Sequence, residues 1–310
     1  MSVFVRQNSQ ECHFTTNESW VILSPIEQSI KRKIEAVGKP LKDWDINIYR
    51  GILTGYNEAF IIDGKKKNEL IAEDPKSAEI IRPILRGRDI KRYGYEFADL
   101  WLIYVPWHFP LHNDSSIIGP SAIAEAHFRQ QYPGVYNHLL SHKENLSNRN
   151  KAETGIRYEW YALQRWGANY RDDFYKQKIM YPNMTKFLPF YLDDKNFMQN
   201  DKSFMITGRN LYFLTAFLNS SLFKFCFIEN FPELQGGTRE LRKIFLDKIP
   251  VLQVNNEQEL LFKDLVLKCQ SNYENKLPSK DLEIIIDNLI FNLYGLSEVE
   301  KEVIGFIEIL

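Results

Sequence analysis

Residues 82–92, Arg82-Pro83-Ile84-Leu85-Arg86-Gly87-Arg88-Asp89-Ile90-Lys91-Arg92, set five cations against one carboxylate. Cations at that density neutralise phosphates, a contact that positions a protein on a nucleic-acid backbone without reading its bases. Arg82, Arg86, Arg88, Lys91 and Arg92 are therefore the candidate phosphate-binding residues. Arg157-Tyr158-Glu159-Trp160-Tyr161, then Arg165-Trp166, interleaves guanidinium groups with aromatic rings, and Arg171 and the basic run Lys176 to Lys178 follow. That pattern suits stacking and the reading of guanine edges, and equally suits a core whose rim pairs the arginines. Gly236-Gly237-Thr238-Arg239 is a pliable loop that ends in a cation. Arg157, Arg165, Lys186, Arg209 and Arg239 form the candidate set for base or backbone reading. Lys65-Lys66-Lys67, just after the turn dipeptide Asp63-Gly64, is a second candidate for phosphate contact, with a plain exposed loop as the favoured alternative.

The sequence shows no catalytic centre, and no catalytic or metal-binding residue is assigned. It contains no Gly-x-Gly turn of the kind that lets backbone approach S-adenosylmethionine, and no Pro-Pro pair of the kind that holds a flipped base. Asp63-Gly64-Lys65, Asp74-Pro75-Lys76 and Glu274-Asn275-Lys276 match the Asp/Glu-x-Lys triplet of metal-dependent nucleases, but such triplets arise by chance in a chain that is 25% charged. His138 and His142 are spaced for one helix face yet lack a third ligand in sequence. Gly-x-Ser-x-Gly is absent.

These side chains need a framework, and the composition supplies one. Hydrophobic residues make up 44% of the 310 and aromatics 14%, a globular balance. A net charge of −1 hides an asymmetry: residues 255–310 hold five Lys against eleven acids, and the rest holds 34 basic against 29 acidic residues. Cys12, Cys226 and Cys269 are too few and too far apart for a disulfide framework, which fits a reducing, cytoplasmic setting. The apolar run Leu211–Ile228 contains Asn219, Ser220, Ser221 and Lys224, so it reads as buried core, with no membrane association.

Short apolar stretches bounded by turn residues predict strands at Ile46–Tyr49, Ala59–Ile62, Leu100–Val105, Lys178–Tyr181 and Phe187–Leu192. Helices are predicted at Pro75–Leu85 and Ser121–Leu140, and within the Leu211–Ile228 run. Beyond Pro250, Phe262, Val266, Cys269 and Tyr273 recur at helical spacing, as do Leu282, Ile286, Leu289 and Leu293. Ser279 is a candidate N-cap for the second helix, and Ser297 with Glu300 forms a capping box for a last one. The fold class is α+β: a mixed, β-rich region over 40–250, preceded by a linker or packing segment at 1–39 and followed by a helical C-terminal subdomain at 251–310.

The order of the pieces resembles the TaqI-like C-terminal specificity domain of adenine-specific DNA methyltransferases and type IIG restriction-modification enzymes. Gly51-Ile52-Leu53-Thr54-Gly55-Tyr56-Asn57-Glu58-Ala59-Phe60 is similar to that family's G-x-x-T-G-x-N-x-A-F hairpin, and Ile80 to Ile90 is similar to its basic "ikPilrGrdi" segment. Tyr158–Arg165, Lys178–Pro182, Leu218-Asn219-Ser220, Ile249-Pro250 and Leu293-Tyr294-Gly295-Leu296 follow in the family's order. The resemblance, over residues 40–310, implies a target-recognition domain for double-stranded DNA. It also implies a methyltransferase domain as partner, in cis or in trans and in some enzymes with a nuclease, and that domain would hold the S-adenosylmethionine. It supplies no base contacts, since recognition domains differ where their targets differ. The rival reading is a protein-interaction or dimerisation module built on the acidic helices, with DNA contact minor.

Overall fold

The computed structural model describes residues 23–306 apart from Phe187; Cys12 and most of the 1–39 segment lie outside the described residues. Chain order runs α1 (Pro25–Val37), β1 (Gly38–Pro40), β2 (Ile46–Arg50), β3 (Ile61–Asp63), α2 (Gly64–Glu73), β4 (Ile81–Leu85), β5 (Ile90–Lys91), β6 (Gly94–Tyr95) and β7 (Leu100–Ile103). It continues through α3 (Ala122–Gln131), α4 (Pro133–Leu140), β8 (Lys178–Pro182), β9 (Met184–Thr185), β10 (Tyr191–Asp193), β11 (Met198–Gln199), β12 (Ser203–Gly208), α5 (Leu211–Leu218) and α6 (Ser221–Phe227). It closes with β13 (Arg239–Glu240), β14 (Pro250–Leu252), α7 (Asn256–Glu274), α8 (Lys280–Leu293) and α9 (Glu298–Ile304). The chain is α+β.

One four-stranded sheet has the order β10-β8-β12-β2, antiparallel throughout, with Ile206 opposite both Ile48 and Ile179. Successive side chains leave a strand on opposite faces, and here both faces are covered. Ile206 and Ile179 join a core with Phe213, Phe217, Phe262 and Ile290 from the helices on one side. Met205, the next residue along β12, joins a second core on the other side with Phe60, Ile84, Leu102, Phe128 and Tyr161. Hence every residue of β8 is buried, where a one-sided strand would alternate. The second core is built on a sheet of order β11-β4-β7-β3, in which β4 pairs antiparallel with β7 and parallel with β11.

Even Lys178, at the start of β8, is fully buried. Its Nζ donates to Asp193 Oδ2 at 2.6 Å and to the Phe174 carbonyl at 2.8 Å, so the charge is paired inside the fold and is not presented at the surface. Burial lowers the Lys178 pKa, with Asp193 opposing that shift.

Several elements depart from the sequence expectation. Residues 75–85 do not form one helix: a 3-10 turn over Pro75–Glu79 passes into β4, because Ile80, Ile81 and Ile84 favour a strand and Pro83 breaks a helix interior. Ser121–Leu140 divides into α3 and α4 at Pro133, which opens the second helix, where a missing N–H costs nothing. Leu211–Ile228 also divides, with Ser220 capping α6 and Asn219 bridging both backbone groups of Phe190, and no described helix is long and apolar enough to cross a membrane. Asp63-Gly64 starts a helix instead of a turn. Asp63 accepts from the Lys66 N–H at 2.7 Å, so the Lys65–Lys67 run lies in the first turns of α2.

The Gly51–Phe60 segment is not a hairpin either. It makes isolated bridges from Ile52 to Asn200 and from Leu53 to Arg165, then a helical turn over Asn57–Phe60. A Cβ on Gly51 would lie 2.1 Å from the Asn200 carbonyl oxygen, so this glycine permits a close backbone crossing between the cores. After Pro250 the three helices stand where the periodicity places them, and the Ser297–Glu300 box forms; Ser279 occupies the cap position of α8 without a side-chain bond.

Candidate nucleic-acid interface

The basic segment leaves β4 through a turn that one carboxylate organises. Asp89, buried, accepts from the Arg86 backbone N–H and Nε at 2.8 Å through Oδ2, and from Nη2 at 2.8 Å through Oδ1. The fork-on-fork pair raises the Arg86 pKa and fixes the Gly87–Asp89 turn. Gly87 lies flush against the body of the fold: a Cβ there would sit 2.7 Å from the Lys202 carbonyl oxygen and 3.3 Å from Pro182 Cβ. With both neighbours pinned, Arg88 projects outward, exposed and without an ion-pair partner among the described residues.

The five cations of this segment have different fates. Arg82 donates to the carbonyls of Ala78, Glu79 and Ile81, closing the turn before β4. Lys91 has a loose contact, 3.3 Å, with the exposed Glu96. Arg92 donates to Glu283 of α8 at 3.0 and 2.6 Å and to the Asn219 carbonyl, tying the β5–β6 turn to the C-terminal helices.

A second wall comes from far along the chain. β9 pairs with β13, Thr185 opposite Arg239 and Met184 opposite Glu240. Gly236 and Gly237, both in the left-handed region at φ 74 and 77, fold the intervening loop back so that Gly236 lies against the exposed Lys186, whose Nζ is 3.9 Å from where a Cβ would stand. Arg239 itself is three-quarters or more covered: it donates to the Phe231 carbonyl at 3.1 Å and pairs with Glu233 at 3.0 Å. It holds the loop while Lys186 extends from it, and among the described residues Lys186 has no ion-pair partner.

The third wall is the α7–α8 corner, contributing Tyr273, Leu277, Ser279 and Glu283. The three walls enclose an open cleft of about 660 Å³ into which Arg88, Lys91, Arg92 and Lys186 all face. Thus four of the ten sequence candidates share one concavity. Arg86 and Arg239 brace its walls, and Arg82 caps the turn that precedes it. The other three lie off it: Arg157 and Arg165 converge on Glu153 at 2.8–2.9 Å, and the exposed Arg209 pairs with Asp45 at 3.1 Å. Tyr158, Tyr161 and Trp160 are buried in the second core, as the core alternative for that stretch has it.

Sequence reasoning missed the C-terminal wall. Tyr273 shares a helical face with Cys269 and reads as an ordinary core position; its ring in fact closes over Gly94, where a Cβ would be 2.2 Å away. No local signal links Arg92 to Glu283 across 191 residues.

The carboxylates of the nuclease-like triplets serve structure: Asp63 caps α2, Asp74 accepts from Ser77 and the Lys76 N–H, and Glu274 pairs with Lys195. His138 Nε2 lies 2.9 Å from the Ala59 carbonyl and so donates to it, and burial lowers its pKa. Among the described residues no group of three or more His, Cys, Asp or Glu is placed to hold a metal.

Comparison with known proteins agrees with this architecture. The type II methyltransferase M.MjaIV of Methanocaldococcus jannaschii is 25% identical over 249 residues, covering 77% of this chain and 76% of its own. The type IIL restriction-modification enzyme MmeI, solved in complex with DNA, shares the fold at a TM-score of 0.57 and 15% identity over 84% of this chain. The type IIG restriction endonuclease BpuSI aligns over 88% at a TM-score of 0.47 and 12% identity. The chain spans about a third of the length of either solved protein, 34% in each case. The model of the TaqI-like C-terminal specificity domain matches residues 82–251, more than half of the sequence and the whole stretch that builds the first two walls of the cleft, and the chain belongs to that family.

Proposed function

We propose that this chain recognises duplex DNA as the specificity module of a restriction-modification methyltransferase, with the cleft between the β5–β6 turn, the β9–β13 loop and the α7–α8 corner as its DNA-facing surface. The observation that carries the reading is the convergence of Arg88 and Lys91 with Lys186, nearly a hundred residues later in sequence, on one concavity. Exposed cations held over a rigid double-sided sheet attract phosphate and set register. On this reading the chain supplies no catalytic residue, and the methyl donor S-adenosylmethionine belongs to a partner methyltransferase domain, in cis or in trans, within the cytoplasm.

The test is titration of a labelled duplex at two salt concentrations. Affinity that falls steeply with salt supports the reading; no binding at low salt, or binding indifferent to salt, contradicts it.

A second reading is favoured by a separate observation. Leu260, Leu261 and Leu267 stand exposed on α7 beside the acidic Glu257 and Asp264, a surface suited to a partner protein. Sedimentation at several concentrations, with and without DNA, separates self-association through this helix from DNA binding.

A further inference from the structure

The corner between α7 and α8 is built to hold two side chains outward. α7 ends on Lys276 in the left-handed region, at φ 56, where a glycine would stand without strain. The Lys276 N–H donates to the Tyr273 carbonyl at 3.1 Å and the Leu277 N–H to the Asn272 carbonyl at 2.8 Å, the two bonds of a Schellman turn. Asn272 Nδ2 donates in turn to the Pro278 carbonyl at 2.9 Å and closes the corner. In such a turn the residue at the Leu277 position commonly packs back against the one at the Asn272 position. Here that residue is an amide already bonded to Pro278, and Leu277 stays 57% exposed. Lys276 is exposed beside it and has no ion-pair partner among the described residues.

Leu277 and Tyr273 also form a ridge between two hollows. They line the basic cleft on one side and, on the other, a hollow of about 610 Å³ completed by Tyr95, Glu96, Lys195, Glu274 and Lys276. The carboxylates of this second hollow are engaged, Glu96 by Lys91 and Glu274 by Lys195, which leaves Lys276 as its unpaired charge. Neither hollow has room for a duplex, in which the major groove alone is about 12 Å wide, so DNA held by the cleft cations lies across both and meets the ridge. We propose that Leu277 is a wedge: it enters a base step of the bound duplex, unstacks it and bends the DNA over the α7–α8 corner, with one flank on Arg88 and Lys186 and the other on Lys276. An apolar side chain driven between bases bends a duplex by about 20–90°. The proposal rests on the DNA-recognition reading and adds a deformation to it, so that the module favours sequences whose steps unstack easily.

The experiment measures energy transfer between dyes at the two ends of a duplex at low salt, together with affinity for that duplex and for one of the same sequence pre-bent by a single unpaired nucleotide. Wild type is expected to raise the transfer on binding and to hold the pre-bent duplex about tenfold tighter, since part of the unstacking is done in advance. Leu277→Ala trims an exposed side chain and keeps both backbone bonds of the turn, so it folds. It leaves the transfer at the value of free duplex and binds the two duplexes equally. Ile123→Ala trims a side chain of α3 that is 66% exposed and lines neither hollow, and it keeps the bend and the preference of wild type. A duplex that is bound and stays straight overturns the proposal, as does a bend that persists in Leu277→Ala or one that Ile123→Ala abolishes as well. Failure to bind the paired duplex at all is a different result and removes the DNA-recognition reading beneath it.

Discussion

Arg239 lies directly across the β9–β13 ladder from Thr185, and this pairing brings the Gly236-Gly237 loop against Lys186. An arginine that pairs with Glu233 and a backbone carbonyl thereby shapes the surface from which a neighbouring lysine projects. The cleft is built this way on its other side too, where Asp89 clamps Arg86 and leaves Arg88 free. Braced cations set the geometry of the cleft, and on the proposed reading the unpaired ones meet DNA phosphates.

Gly87→Ala tests that geometry. The added methyl meets the Lys202 carbonyl oxygen at 2.7 Å, a backbone atom that cannot swing aside, so the turn must move. The variant is expected to lose about 1–3 kcal/mol of stability by overpacking and to bind duplex more weakly, read by denaturant titration and by anisotropy. Wild-type values in both would show that the turn is not pinned.

Lys178→Met leaves Asp193 buried without its cation, although the carboxylate keeps the N–H groups of Lys195 and Phe197. Removing one partner of a buried pair costs about 3–5 kcal/mol. Exchanging both, in Lys178→Met with Asp193→Leu, is expected to recover part of that loss; a single variant as stable as wild type would mean the pair is not closed in solution.

Asp287, buried on α8 and accepting from both the N–H and hydroxyl of Ser221, has its pKa raised by burial from 3.8 to about 6. Below about pH 4 it is protonated in both the folded and unfolded states; above about 6 it is charged in both, and the folded state bears the desolvation. Stability therefore falls as pH rises through that window, and at pH 5 the contribution is about 1 kcal/mol relative to pH 8. Glu300 works the other way. Burial opposes its ionisation, but hydrogen bonds from Lys33, Ser297 and Ser29 outweigh that and hold it at about 2, so its contribution is complete above about 4.5 and is lost as pH falls below. Lowering the pH from 8 to 5 is expected to change Tm more favourably in wild type than in Asp287→Asn, the buried His138 and Glu259 contributing equally to both; equal slopes would contradict it.

The sequence made some of this legible and hid the rest for physical reasons. Helical periodicity placed α7 and α8, because a one-sided apolar stripe is a local property of residues three and four apart. Clustered charge marked Arg88 and Lys91. It could not separate them from Arg82, whose role as a cap depends on carbonyls aligned by a 3-10 turn where a helix was expected. The third wall was invisible, since Tyr273 over Gly94 and Glu283 on Arg92 are contacts across some 180 residues or more that no spacing encodes. Lys178 was misleading in the opposite sense: it belongs to a basic run in sequence, and its neighbours in space are a carboxylate and a sheet.

Among the cations off the cleft, Arg165 shares Glu153 with Arg157. Arg165→Ala is expected to weaken duplex binding less than Arg88→Ala at matched salt, measured by the same anisotropy titration; the reverse order would move the DNA to the Glu153 face.

The most direct measurement is the slope of log affinity against log salt for duplex binding by wild type, by Arg88→Ala with Lys186→Ala, and by Lys268→Ala, which removes an exposed cation paired with Asp264 on α7. Each phosphate contact contributes a slope of about 0.9, so the double variant is expected to lose close to two units while Lys268→Ala loses none. A double variant with the wild-type slope and affinity would contradict a DNA surface at the cleft.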